Sequence, residues 1–142
     1  MALRERRVRR ARASGLLLAA LLALTPHTPG HAQARALAIH EIQGARSRSP
    51  YEGSLVATSG VVTGRKANGV FIQTPEGAGD GSASTSEGLF VFTGSAPAPT
   101  LTPGTLVSVT GRVIEFAPAA DPSSPPLTEI GDSPSISVRG AG

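Results

Sequence analysis

The chain has 142 residues, room for one domain. Seventeen glycines and twelve prolines stand against four phenylalanines and one tyrosine, so the chain is rich in turns and short of large core residues. With no cysteine it can build neither a disulfide nor a thiolate metal site, and its formal charge of +3 is unevenly placed.

Six of the thirteen basic residues are Arg4, Arg6, Arg7, Arg9, Arg10 and Arg12. The nine-residue apolar run Leu16–Leu24 follows them, and then Ala32-Gln33-Ala34. A basic start, a short apolar stretch and an Ala-x-Ala site predict a secretory signal peptide over residues 1–34, cleaved after Ala34. The apolar run falls short of the roughly 20 residues that span a bilayer; an uncleaved anchor is the alternative. Cleavage leaves seven basic against nine acidic side chains, a net charge of −2, in a secreted or periplasmic domain with no membrane attachment. Phosphate affinity grows with the number of neutralising Lys and Arg, so charge alone gives this domain little hold on a nucleic acid.

In chain order, Leu37, Ile39 and Glu41 alternate with Ala38, His40 and Ile42, which predicts a first strand ended by Gly44. Ser49-Pro50 starts a turn. Residues 55–63 and 106–115 are β-branched, alternating strands. Val56-x-Thr58-x-Gly60-x-Val62 in one matches Val107-x-Val109-x-Gly111-x-Val113 in the other. A mid-strand glycine marks a bulge, a sharp bend or a close approach of backbones, and two strands kinked this way suit closure of a small barrel. Between them, Val70–Gln73 and Leu89–Phe92 read as hairpin arms joined by a long loop of Gly, Ser, Thr and acidic residues. Phe90 and Phe92 share a parity and project from one strand face. Three prolines between Thr93 and Leu106 exclude a regular helix there. Residues 117–126 are irregular and Pro/Ser-rich, and Leu127–Ile130 with Ser135–Val138 form a bent last strand. The expected fold is all-β: a small barrel of five to six strands, with no helix beyond the signal.

Several stretches occur in a telling order: Ile39-His40-Glu41-Ile42-Gln43-Gly44, Ser49-Pro50, Gly60-Val61-Val62-Thr63, Phe71-Ile72-Gln73, Thr85-Ser86-Glu87-Gly88-Leu89-Phe90-Val91-Phe92, Pro103-Gly104, Val107-x-Val109-Thr110-Gly111 and Val113-x-Glu115-Phe116. From about Ile39 to Val138 the chain resembles the OB-fold-like domain that precedes an endonuclease/exonuclease/phosphatase-type catalytic domain in bacterial extracellular nucleases. Two departures stand out. The loop between the hairpin arms keeps only Glu76, Asp80 and Glu87 where the family is richer in Asp, and residues 117–130 differ from the family's Gly-rich lead.

The resemblance implies an OB-fold-like domain over residues 35–142 whose strand face binds single-stranded DNA or RNA. Phe71, Phe90 and Phe92 are the expected stacking platforms, and Arg65 and Lys66, placed in the Gly64–Gly69 turn, the expected phosphate contacts. Core packing of the rings and a solvated turn are the plain alternatives. The acidic loop, with Ser82 and Ser84, offers oxygens but lacks the spacing of an EF-hand, so no metal or other cofactor is expected. His40 reads as a structural residue. Nuclease chemistry needs a metal-binding carboxylate, a His base and oriented Asn and Asp. After Ala34 the chain has one His, His40, and one Asn, Asn68, which argues against catalysis. The expectation is a non-catalytic, weakly nucleic-acid-binding module without its catalytic domain, able to work with a separately encoded nuclease. The alternatives are a module for a protein or saccharide partner, or a truncated nuclease fragment.

Overall fold

The computed structural model describes residues 33–142; the expected signal peptide lies almost wholly outside them. Seven elements follow in order: β1 (Arg35–Ala36), α1 (Ile39–Gln43), β2 (Leu55–Lys66), β3 (Gly69–Gln73), β4 (Gly88–Phe92), β5 (Thr105–Phe116) and β6 (Leu127–Ala141). The fold is all-β, as the alternation of the sequence predicts.

Strand order in the single sheet is β1-β2-β3-β4-β6-β5, and β2 also pairs with β5. The pairings therefore run β2-β3-β4-β6-β5 and return to β2. All are antiparallel except β4–β6, where Phe90 faces Glu129 and Val91 faces Ile130 in parallel register. The two glycine-bearing strands are direct neighbours: Val56 lies opposite Gly111, Thr58 opposite Val109 and Gly60 opposite Val107. A Cβ on Gly60 would stand 3.0 Å from the Gln73 carbonyl and 3.1 Å from Ile39 Cδ1. One on Gly111 would meet Ile130 and, at 3.0 Å, the Gly131 carbonyl. Both glycines thus allow a neighbouring strand to close in, and β5 shifts register at Gly111.

Residues 37–43 correct the sequence reading. Only Arg35 and Ala36 are strand; they lie parallel to Val56 and Ala57. The chain then turns into α1, a helix where none was expected. Ile39 and Ile42 are both fully buried, and their three-residue spacing puts them on one face of a helix but on opposite faces of a strand. The Ala38 N–H donates to Glu41 Oε2 at 2.7 Å, Ile42 N–H to the Ala38 carbonyl, and Gly44 ends the turn at φ 66°. β6 is bent as expected, with Asp132 and Ser133 at positive φ, and residues 117–126 carry no regular element.

The core joins Ile39 and Ile42 of α1 to Val56 and Val62 of β2, Val70 and Ile72 of β3, Leu89 and Val91 of β4, Val107, Val109 and Val113 of β5, and Ile130 of β6. None of the four phenylalanines belongs to it. Side-chain hydrogen bonds tie distant segments of this fold together. Glu115 Oε1 accepts from the Ser49 N–H at 2.7 Å and the Thr128 hydroxyl at 2.8 Å. Gln43 Nε2 donates to the Gly88 carbonyl at 2.6 Å, fixing α1 to the start of β4.

Candidate nucleic-acid interface

Strand alternation turns Val70, Ile72, Leu89, Val91 and Ile130 inward and leaves Phe71, Phe90, Phe92, Leu127 and Glu129 on the outer face. Register aligns a row across this face: Phe71 opposite Phe90, Phe90 opposite Glu129, and Glu129 opposite Ile114. Phe116 pairs with Leu127 beside it.

Phe71 and Phe90 are in contact, with ring centroids 4.8 Å apart and planes tilted by 49°. That tilted arrangement favours aromatic pairs. Phe90 is only 5% exposed and supports the pair; Phe71 is 37% exposed and presents a ring to solvent. Phe92 is half-buried. The structure thus brings the three expected aromatic residues onto one face and adds Phe116, 49% exposed, and Leu127, 44% exposed. Two hollows mark the face, sharing Phe90 and Leu127 between them. One, of about 360 Å³, runs between Gln43, Phe71, Gln73 and Ser86. The other, of about 310 Å³, is lined by Lys66, Asn68, Phe92, Phe116 and Glu129 as well. A larger hollow of about 630 Å³ lies against β1 and α1; Glu41 and Arg139 line it among mostly small and aliphatic residues, and no aromatic ring does.

The two expected cations part company. β2 continues as strand through Lys66, paired with Gly69, so the turn is only Ala67-Asn68. Consecutive strand residues point to opposite faces. Lys66 Nζ sits 5.9 Å from the Phe90 ring centroid, on the aromatic face. Arg65 is turned away, and its guanidinium donates to the carbonyls of Pro97 at 3.0 Å, Ala98 at 2.9 Å and Leu101 at 2.6 Å. It ties down the 93–104 loop, whose Leu101 enters the core, and is not placed to meet a ligand on the phenylalanine face.

The long loop closes over α1. His40 Nδ1 lies 3.4 Å from Glu87 Oε1, and Asp80 completes a trio whose ligand-type atoms all fall within 4.8 Å of one another. Asp80 is held below the usual carboxylate range by the Ser82 N–H and then the Thr85 hydroxyl. Glu87 is lowered by the adjacent Thr74 hydroxyl and then the Asp80 N–H. One imidazole nitrogen and two carboxylates form a donor set that a divalent cation could use. A strand over residues 37–43 would hold His40 apart from the loop acids; the helix brings them together.

No protein-family model matches the chain, and no curated protein matches it.

Proposed function

We propose that residues 35–142 are a non-catalytic module that binds single-stranded nucleic acid by stacking, of the kind that accompanies extracellular nucleases. The observation that carries this reading is the outward Phe71–Phe90 pair on the β3–β4 hairpin, with Phe92, Phe116 and Lys66 around it. Base–aromatic stacking contributes about 1–3 kcal/mol per base and tolerates any sequence, whereas the net charge of −2 after cleavage adds little. The binding is therefore weak and only mildly salt-dependent. Secretion follows from the N-terminal sequence. A separately encoded nuclease domain is the natural partner, and reading the DNA downstream for a nuclease frame tests that part. For binding itself, a fluorescent oligonucleotide in low salt should gain anisotropy at micromolar protein; no change removes the reading.

A second reading, a module for a saccharide or protein partner, draws on Lys66 being the one cation lining the aromatic hollows among the described residues. Binding on a glycan array without oligonucleotide binding would favour it.

A further inference from the structure

Glu129 stands apart from the other carboxylates of the aromatic face and its surroundings. It is 6% exposed, projects outward from β6 and lines the hollow between Phe92 and Phe116. Among the described residues it accepts no side-chain hydrogen bond and joins no ion pair, while Arg48, Arg112 and His40 each have an acidic neighbour of their own. Lys66 lines the same hollow but makes no ion pair with it. A carboxylate that loses part of its water without gaining a partner is destabilised in its charged form. Burial accordingly pushes the Glu129 carboxyl above its ordinary value. Glu129 lines a hollow beside aromatic rings and brings carboxylate acceptors to it, so a ligand carrying adjacent N–H donors would complete the site.

Resting on the nucleic-acid reading, we infer that Glu129 selects the base: the hollow takes a guanine, stacked against the phenylalanines, whose N1–H and N2–H donate to the two carboxylate oxygens. The edges of the bases make the choice. Guanine alone presents two neighbouring donors on its pairing edge, matching the spacing of a carboxylate. Cytosine and adenine offer one amino group beside a ring-nitrogen acceptor. Thymine and uracil flank a single N–H with two carbonyl oxygens that a carboxylate repels. Single-stranded bases are read on these edges once they are unstacked onto aromatic rings. Asn68 lines the same hollow and adds an amide that can serve the sugar or the remaining edge.

The test is fluorescence anisotropy in low salt with a short labelled oligothymidylate, the same strand carrying one central guanine, and the same strand with inosine in its place. Inosine lacks only the N2 amino group. The guanine strand should bind about tenfold more tightly than the thymine strand. The advantage should shrink with inosine and vanish in Glu129→Gln, whose fold is checked by circular dichroism. Equal binding of guanine and thymine strands overturns the inference and leaves the stacking surface standing. A guanine preference that survives in Glu129→Gln overturns the assignment to this residue. Failure of every strand to bind removes the nucleic-acid reading and this inference together. The inosine comparison uses the unaltered protein, so loss of the guanine advantage there tests the two-donor edge reading independently of the variant; a Glu129→Asp variant, which keeps the carboxylate but withdraws it, tests the assignment should Glu129→Gln not fold.

Discussion

Phe90 lies directly over Gly69: a Cβ at Gly69 would collide with Phe90 Cζ and the Val91 carbonyl. The ring that supports the aromatic face is seated on a backbone that must carry no side chain. Gly69→Ala should therefore lift Phe90 from its seat and cost about 1–3 kcal/mol by overpacking. Urea denaturation would read that loss, and oligonucleotide anisotropy the weakened face.

Phe71 and Phe90 should separate binding from stability. Phe71→Ala removes a half-open ring and should weaken oligonucleotide binding by about 1–3 kcal/mol with a small change in unfolding midpoint. Phe90→Ala removes a buried ring and should lower stability by about 3 kcal/mol in addition. Paired titrations and denaturation curves on the two variants check the contrast.

Arg65→Ala should take one donor from each of three loop carbonyls, leaving Ala98 only the Leu101 N–H, and loosen the loop that carries Leu101. The guanidinium is partly solvated, so the expected loss is about 1–2 kcal/mol. Faster amide exchange around residues 97–101 should accompany it. Lys66→Ala, on the opposite face of the same strand, should instead weaken binding and its salt dependence.

The carboxylates predict opposite responses to pH. Asp80 and Glu87 titrate below their ordinary values in the folded state. Their contribution is present above the unfolded carboxylate range, about pH 4, and is lost as pH falls through the lowered folded values. Glu129 titrates above its ordinary value. Its protonated form suits the folded site, so its contribution is complete below about pH 4 and is lost as pH rises through the raised folded value. Glu129→Gln should thus gain thermal stability over the unaltered protein as pH rises from 4 towards 7, a trend that melting curves across that range would show.

Much of this molecule is legible in the sequence because its signals are local. That Val56–Val62 and Val107–Val113 lie in strands, each with a glycine in mid-run, shows in two valine runs that carry the glycine at the same step. The common face of Phe90 and Phe92 follows from strand parity. The helix at Ile39–Gln43 escaped that logic: five residues are too few for a period, and its signs were the three-residue step from Ile39 to Ile42 and the reach of Glu41 back to Ala38. Arg65 and Lys66 read as one turn pair in the sequence because the strand runs farther than its apolar residues do; once β2 reaches Lys66, alternation alone sends them apart. Phe116, Leu127 and Glu129 reach the aromatic face through the β5–β6 and β4–β6 registers. Ten irregular residues intervene between the first two strands, and nothing local fixes that alignment.

The seam between β2 and β5 joins residues roughly fifty positions apart in the chain, so the entropy of closing that long loop must be met before its contacts form. Such a seam makes folding a slow search, on the order of milliseconds to seconds, compared with the microseconds open to a bundle of local helices. Until that zipper forms, both strands offer bare edges to any neighbour, so a crowded newly made population of these chains is vulnerable to clumping in the interval before closure.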